Sequence, residues 1–117
     1  MTANNIQDYQ MFIDGQWTEA ENNQRFESTN PENNKPWSSF PDATVNDVNN
    51  AVAAAKNAFK SWSLSDVKIR AQYLRAIGDQ LKNNAEHIGK IETIDSGKLL
   101  KETKFEAEYM RDYFYYY

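Results

Sequence analysis

Asp95 is the residue whose surroundings in the sequence most suggest chemistry. It lies in the stretch ETIDSGKLLKET, Glu92–Thr103, between the end of one predicted helix and the start of the next. In one interpretation, Asp95 closes the helix and its carboxylate accepts hydrogen bonds from turn amides. In the other, the carboxylate is a ligand for a bound ion. The local sequence leaves both interpretations open.

Other groups able to do chemistry are scarce. The chain has no cysteine, which excludes disulfides, thiolate metal sites and a cysteine nucleophile within it. A Ser-His-Asp mechanism would need His87 as its base, but His87 stands at the polar edge of an amphipathic stretch and is expected to be solvated. Acid pairs such as Asp42 and Asp47 are typical of solvated faces. No glycine-rich phosphate loop is present.

The composition of the chain limits which classes of protein it can belong to. The chain has 117 residues, 26% of them charged and 40% hydrophobic, with a net charge of -4. This length predicts one globular domain. Lysines and arginines are scattered among acids, so no nucleic-acid partner is expected. No apolar run has the length of a membrane span, and the polar start does not resemble a secretory signal. We therefore expect a cytoplasmic protein that does not enter a membrane.

The first part of the chain predicts strands. In MFIDGQW, Asp14-Gly15 suits a type I′ turn between strands at Met11–Ile13 and Gln16–Thr18. RFEST predicts a strand at about residues 25–29, NPENNKP a turn, and PWSSF another short extended piece. Trp17, Trp37 and Trp62 are expected to cover a core rather than to form a stacking platform.

The remainder predicts about four helices. The first begins at Thr44, where Asp47 three residues later completes a capping box. Ser65 is the expected N-cap of the second helix, Gly97 ends the third, and the fourth begins near Leu100. The apolar stripe of the first helix is Val45, Val48, Val52, Ala55, Phe59 and Trp62. The stripe of the fourth is Ala107, Met110, Phe114 and Tyr117.

The sequence stops within this last pattern. Phe114 to Tyr117 are large and apolar, and no helix cap follows them. Because chain termini are usually polar and loosely held, we expect the chain to be cut from a longer protein. The alternative is that these residues pack on the core of the chain itself.

Five short motifs follow one another in an order that resembles a known protein family. FIDGQW, FESTNPENNKPW, VNNAVAAAKNAFKSWS, ETIDSGK and YFYYY occur in the order and at the spacing of the N-terminal region of NAD(P)-dependent aldehyde dehydrogenases. The similarity runs from about Tyr9 to Tyr117, and it looks closest to the group that holds betaine aldehyde dehydrogenases. The resemblance implies an α+β piece, with N-terminal hairpins followed by four helices, of an α/β fold that has a Rossmann-like cofactor domain. Residues 1–117 would be the incomplete N-terminal part of that cofactor-binding domain.

The family implies a reaction whose residues lie beyond this sequence. In its members a cysteine attacks the aldehyde, NAD or NADP accepts a hydride, and a glutamate-activated water releases the carboxylic acid. An asparagine amide and a backbone amide stabilise the oxyanion. The resemblance therefore implies that the chain alone is inactive, with neither catalytic nor cofactor-binding residues.

One site is implied within the chain. Many family members hold K⁺ or Na⁺ through backbone carbonyls before an NP pair and through the aspartate of an ETxDxGK motif. The matching residues here are Ser28, Thr29 and Asp95. Such hard cations take oxygen ligands.

Two functional hypotheses follow. In the first, the chain is the N-terminal part of an aldehyde dehydrogenase, and its partner is the remainder of that fold or, failing that, a second copy of itself. In the second, it is a free-standing α+β interaction module without enzymatic activity, which binds a partner through its aromatic end.

Overall fold

The computed structural model describes residues 6–117 and divides the chain into two compact units. Among the described residues, unit 1 comprises residues 6–29 together with Asn34–Leu64, and unit 2 comprises Asn30–Asn33 and Ser65–Tyr117. The length alone predicts one domain, but the contacts separate a strand-rich unit with one helix from a helical unit. Across the described residues, no helix is both long enough and apolar enough to cross a membrane.

Five strands precede the first helix. They are β1 (Gln7–Asp8), β2 (Met11–Ile13), β3 (Gln16–Thr18), β4 (Arg25–Asn30) and β5 (Lys35–Pro41). Strand β5 lies between β1 and β4, and β1 runs parallel to β5 with Gln7 opposite Ser38. The pairing of β1 was not expected from the sequence, because a two-residue strand leaves no periodic pattern.

The predicted hairpin is confirmed. Strands β2 and β3 are antiparallel, and Asp14 and Gly15 have φ angles of 52° and 77°, both positive as a type I′ turn requires. Trp17 faces Phe12 across the hairpin with ring centroids 4.9 Å apart. Because Trp17 remains 67% exposed, the expectation that it covers a core is wrong. The two rings cover each other instead.

Arg25 holds the three-stranded sheet to the segment before the hairpin. Its guanidinium donates to the carbonyl oxygens of Tyr9, at 2.7 Å, and Ser39, at 3.0 Å, and to the Ser39 hydroxyl at 2.7 Å. It also pairs with the Glu19 carboxylate. One half-buried cation therefore bonds several acceptors in this part of the chain, in addition to the Tyr9 amide that already donates to the Ser39 carbonyl.

Helix α1 (Val45–Trp62) begins at the predicted capping box. The Thr44 hydroxyl accepts from the Asp47 amide, and the Asp47 carboxylate accepts from the Thr44 amide at 2.8 Å. The same carboxylate accepts the Glu21 amide at 3.2 Å, which attaches the loop before β4 to the start of the helix. The Thr44 amide contributes most to lowering the pKa of Asp47, and the Thr44 hydroxyl and Glu21 amide act in the same direction.

Unit 2 is built from α2 (Val67–Asn83), α3 (Ala85–Ser96) and α4 (Leu100–Tyr116). The predicted N-cap of α2 at Ser65 is wrong by one residue. Asp66 occupies the N-cap, and its carboxylate accepts from the Lys68 amide at 2.7 Å. The Ser65 carbonyl accepts instead from the Arg70 guanidinium.

Small residues lie where the helices of unit 2 approach most closely. Ala85 and Ala107 are 2% and 5% exposed, and Gly78 and Gly89 are also buried. Helix α4 packs against both α2 and α3. Among the described residues the buried apolar side chains are small, three alanines and Pro41, and many large apolar side chains stay on the surface.

Candidate functional site

The ETIDSGK stretch forms the connection from α3 to α4. Asp95 lies in the last turn of α3, and Gly97 ends that helix with a left-handed φ of 76° and donates its amide to the Thr93 carbonyl at 2.9 Å. A β-carbon on Gly97 would stand 3.0 Å from Cγ of Pro31. Both the backbone angle and the close approach favour glycine here, which confirms the predicted helix end.

Lys98 links the two helices across this connection. Its ammonium lies 2.8 Å from the Glu92 carboxylate and 3.0 Å from the Glu106 carboxylate. The hydrogen bond to Glu92, followed by that to Glu106, raises the pKa of Lys98 above its usual range. The lysine of the motif therefore stays charged and acts as a clamp between α3 and α4.

Thr103 provides the buried polar contact of the same pair of helices. Its side chain is fully buried, and its hydroxyl donates to the Gly89 carbonyl at 2.9 Å. The Thr93 hydroxyl lies 2.9 Å from the Thr103 hydroxyl and completes the contact. These bonds fix the two helices at a short separation, which gives the connection between them a structural role.

The residues of the predicted cation site fall in different units. Ser28 and Thr29 lie on β4, in unit 1, and Asp95 lies in unit 2. Residues 6–117 contain no group of three or more histidine, cysteine, aspartate or glutamate side chains placed to hold a metal. The predicted site has only one carboxylate and otherwise uses backbone oxygens, so that finding does not bear on it. The cation site stays a prediction.

A polar cluster that the sequence did not suggest joins α2 to α4. The Arg111 guanidinium donates to Asp79 at 3.0 Å, and the Tyr115 hydroxyl donates to both oxygens of the same carboxylate, at 2.8 and 3.0 Å. Arg111 also lies 4.1 Å from the centre of the Tyr115 ring. These bonds lower the pKa of Asp79, with Arg111 the largest cause, and raise that of Arg111.

Only two of the three residues of this cluster are placed together by a local sequence pattern. Arg111 and Tyr115 are four residues apart on one helix, a spacing at which side chains meet. Asp79 belongs to another helix, and no local pattern identifies it as their partner.

The apolar face of α1 is uncovered. We call Val45, Val48, Val52, Phe59 and Trp62 the α1 stripe. Their exposed fractions run from 43% at Trp62 to 80% at Val45. The periodicity correctly predicted that these side chains share a face, but all five remain exposed. An amphipathic helix normally buries its apolar face, so the α1 stripe is a candidate binding surface.

Unit 2 carries a second apolar surface. We call it the α2–α3 groove; its volume is about 440 Å³, and it is lined by Tyr73, Ala76, Ile77, Gln80, Leu81, Asn84 and Ile88. Tyr73 and Ile77 are 58% and 47% exposed. The groove has the size and apolar lining of a site for another side-chain cluster or helix.

The predicted stripe of α4 is covered only in part. Ala107 is buried, and Phe114 packs beside α2, where its Cβ would be 3.1 Å from a β-carbon on Gly78. Met110 and Tyr117 remain 43% and 81% exposed. Part of the aromatic end therefore packs within the chain, as the alternative interpretation of that end expected, while the rest faces solvent.

The sequence of the chain can be compared with those of known proteins. Residues 17–117 match the model of the aldehyde dehydrogenase family. The chain is 38% identical over 113 residues to peroxisomal aminoaldehyde dehydrogenase 1 of Pisum sativum, with 92% of this chain and 22% of that protein covered. It is 32% identical over 114 residues to a hydroxybutyrolactone dehydrogenase of Acinetobacter baylyi, with 96% and 23% covered.

Solved structures give the same result. Betaine aldehyde dehydrogenase of Staphylococcus aureus, in complex with NAD⁺, superposes with a TM-score of 0.88 at 32% identity, over 92% of this chain and 22% of that chain. An NAD-dependent aldehyde dehydrogenase of Sinorhizobium meliloti gives a TM-score of 0.91 at 25% identity, over 99% and 24%. The matching region is the N-terminal portion of these Rossmann-like enzymes. The chain thus spans less than a quarter of the length of the relatives it matches.

The predicted resemblance and fold class are confirmed. The strands and four helices of the chain superpose on the matching structures with TM-scores of 0.88 and 0.91. The chain belongs to the aldehyde dehydrogenase family.

Proposed function

We propose that the chain forms the N-terminal structural part of an NAD(P)-dependent aldehyde dehydrogenase, which oxidises an aldehyde to a carboxylic acid. The observation that carries the proposal is the agreement over nearly the whole chain with enzymes of that family, at TM-scores of 0.88 and 0.91. The family match favours this function over that of a free-standing interaction module.

In this proposal, the residues of the chain supply scaffold and binding surfaces. The chain has no cysteine to attack an aldehyde. Its glycines are committed to structural positions: Gly15 in the hairpin turn, Gly78 and Gly89 at helix contacts, and Gly97 at a helix end. None of them opens a phosphate-binding loop, so these residues do not fit a dinucleotide. We assign the nicotinamide cofactor and the nucleophile to the remainder of such an enzyme.

The partner we propose for the α1 stripe and the α2–α3 groove is that remainder. Burying a Val, Phe or Ile side chain contributes about 1.5–3 kcal/mol, and several such side chains lie on these two surfaces. Packing against the rest of the enzyme would recover this free energy. Self-association is the outcome we expect when the remainder is absent.

We also propose that the chain helps to bind a monovalent cation, K⁺ or Na⁺. Its ligands would be the carbonyl oxygens of Ser28 and Thr29 and the carboxylate of Asp95, an all-oxygen set that suits a hard cation. This part rests on the sequence motifs. One further ligand would come from the remainder of the enzyme. A ligand that binds the native state raises stability, so in a full-length version KCl or NaCl should protect wild type against heat more than Asp95→Ala. N-methylglucamine chloride controls for ionic strength and Asp42→Ala for loss of a charge. Equal protection of wild type and Asp95→Ala would favour the helix-end role of Asp95.

A chimera tests the enzymatic part. This chain would replace the matching segment of the full-length Staphylococcus aureus enzyme, and NADH formation would be followed with an aldehyde substrate. We expect the chimera to form NADH and the isolated chain to form none. A folded chimera without activity, or steady NADH formation by the pure isolated chain, would contradict the proposal. An open reading frame downstream of Tyr117 that encodes a catalytic cysteine would support it directly.

A further inference from the structure

A groove between the β2–β3 hairpin and α1 shares no residue with the α1 stripe or the α2–α3 groove. Its volume is about 330 Å³, and both of its walls belong to unit 1. We call it the hairpin groove. The hairpin wall includes Phe12, Ile13 and Asp14, and the helix wall consists of four of the alanines between Ala51 and Ala58. Because the helix wall carries only methyl groups, the groove is largely apolar and has room for one large ring.

A large aromatic side chain stands beside this groove. Trp17 lies opposite Phe12 in the hairpin, with ring centroids 4.9 Å apart, and Phe12 lines the groove. Trp17 does not line the groove and is 67% exposed. The order along this surface is therefore Trp17, then Phe12, then the groove. Burying the exposed part of Trp17 would remove a large apolar area from water.

The hairpin groove also offers the polar partner that a tryptophan needs. An indole N–H is a donor only, and a buried tryptophan usually finds an acceptor for it. Asp14 is exposed at the hairpin turn and places a carboxylate on the wall of the groove. A hydrogen bond from an N–H to a carboxylate is stronger than one between two neutral groups. Both the ring and the N–H of a tryptophan therefore find matching groups in this groove.

The arrangement of Trp17 and the groove is self-complementary. When a protruding group and a matching recess lie side by side on one surface, a two-fold rotation brings each onto the other in a second copy. Here the axis would pass near Phe12, which lies between Trp17 and the groove. Each copy would then supply one ring and accept one ring.

We propose that the chain forms a two-fold dimer in which Trp17 of each copy enters the hairpin groove of the other and donates its indole N–H to the Asp14 carboxylate there. The interface has only Trp17 and Phe12 as large rings from each copy. It is small beside the roughly 1,200 Å² that stable complexes bury, so the dimer is weak. The proposal concerns this chain alone and does not depend on the enzymatic activity proposed above.

The test follows the indole N–H signals of the full 117-residue chain, labelled with ¹⁵N, from micromolar to millimolar concentration. Every sample carries Val48→Ser and Phe59→Ser, which remove association through the α1 stripe. We expect the Trp17 signal to shift saturably with concentration and the Trp37 signal to stay in place. A Trp17 signal that does not change with concentration would overturn the proposal and would favour the remainder of the enzyme as the occupant of the groove.

Single substitutions in the same background separate the ring from the charge, with sedimentation as the measurement. Trp17→Leu should weaken dimerisation about tenfold or more. Asp14→Asn should weaken it several-fold, because asparagine tolerates the turn and keeps an acceptor oxygen but loses the charge. Phe26→Leu is the matched control, since Phe26 is a 54% exposed aromatic residue on β4 of the same unit. Equal effects of Trp17→Leu and Phe26→Leu would contradict the proposal.

Mixing two variants tests the exchange of rings directly. Ala58→Gln fills the groove and leaves Trp17 intact, whereas Trp17→Leu leaves the groove open. We expect the Trp17 signal of ¹⁵N-labelled Ala58→Gln to shift when unlabelled Trp17→Leu is added, because one ring can then enter one open groove. Adding unlabelled Ala58→Gln instead should cause no shift. A mixture in which the Trp17 signal does not move, or moves equally with both additions, would overturn the proposal.

Discussion

The backbone of Lys104 on α4 lies against Gly89 on α3 so closely that a β-carbon on Gly89 would stand 2.8 Å from the Lys104 nitrogen. Real β-carbons do not approach backbone atoms to this distance, and backbone cannot rotate away as a flexible side chain can. The hydrogen bond from Thr103 to the Gly89 carbonyl holds the two helices at this separation. Gly89 therefore sets the spacing of the connection that carries the ETIDSGK motif.

The first prediction is that Gly89→Ala destabilises the chain. Glycine to alanine within a helix ordinarily stabilises, but here the added methyl group forces the helices apart, at a cost of about 1–3 kcal/mol. Urea unfolding followed by circular dichroism measures the change. Gly78→Ala is the matched comparison, because its β-carbon would meet its nearest atom at 3.1 Å, and we expect a smaller loss. A gain in stability for Gly89→Ala would contradict the close approach.

The second prediction concerns pH. The pKa of Asp47 is lowered in the folded chain, mainly by the Thr44 amide, so its ionised form stabilises the fold. This stability is fully present above the pKa of an unfolded aspartate, about 3.9, and is lost as the pH falls toward the lower folded value. The difference in unfolding free energy between wild type and Asp47→Asn should therefore shrink between pH 5 and about pH 2.

The same measurement on Asp42→Asn provides the control for the second prediction. Asp42 is an exposed loop aspartate shortly before α1, and it does not belong to the capping box. We expect Asp42→Asn to follow wild type across the pH range. A difference between wild type and Asp47→Asn that stays constant with pH would argue against the role of the Asp47 charge.

The third prediction concerns the bonds from Arg111 and Tyr115 to Asp79. Tyr115→Phe removes the hydroxyl, and Asp79→Asn removes the charge that both partners bind. The two substitutions should be non-additive in a double-mutant cycle, with the double variant more stable than the sum of the single losses implies. The coupling should weaken in 1 M NaCl, because these side chains are partly exposed. Strictly additive losses would mean that the bonds do not persist in solution.

The fourth prediction is that the isolated chain self-associates and binds apolar dyes. The α1 stripe and the α2–α3 groove each leave several large apolar side chains exposed, and clustered apolar side chains on a surface favour association. Sedimentation and dye fluorescence measure both effects. Val48→Ser with Phe59→Ser should reduce them, whereas Leu64→Ser, which changes an 87% exposed residue outside the stripe, should have little effect. A compact monomer that binds no dye would favour the free-standing module.

The helix and hairpin boundaries are the part of the fold that local sequence determined. The Asp14-Gly15 turn, the Thr44 and Asp47 capping box and the end of α3 at Gly97 all lie where their residue types predict. Each depends on groups within a few residues of one another: a positive φ angle, or an amide that a nearby side chain can reach. Such preferences act before any distant contact forms.

The order of the motifs along the chain also determined the family, since the five quoted stretches predicted the match that the comparisons confirmed. No tertiary contact is needed for that inference. By contrast, the N-cap of α2 was missed by one residue, because Ser65 and Asp66 are both good caps. Asp66 takes the cap through the Lys68 amide, and the Ser65 carbonyl accepts from the Arg70 guanidinium.

Only the tertiary structure decided which faces are covered. The periodicity of α1 and that of α4 are alike, yet the α1 stripe is exposed while Ala107 is buried and Phe114 packs against α2. Periodicity tells which residues share a face, and burial depends on which other elements the chain brings against that face. Two other contacts were also decided by tertiary structure, since they join residues 15 or more positions apart. They are the bonds of Asp79 with Arg111 and Tyr115, and the close approach of Gly89 to Lys104. Contacts over such separations leave no local pattern in the sequence, because they depend on how whole helices pack.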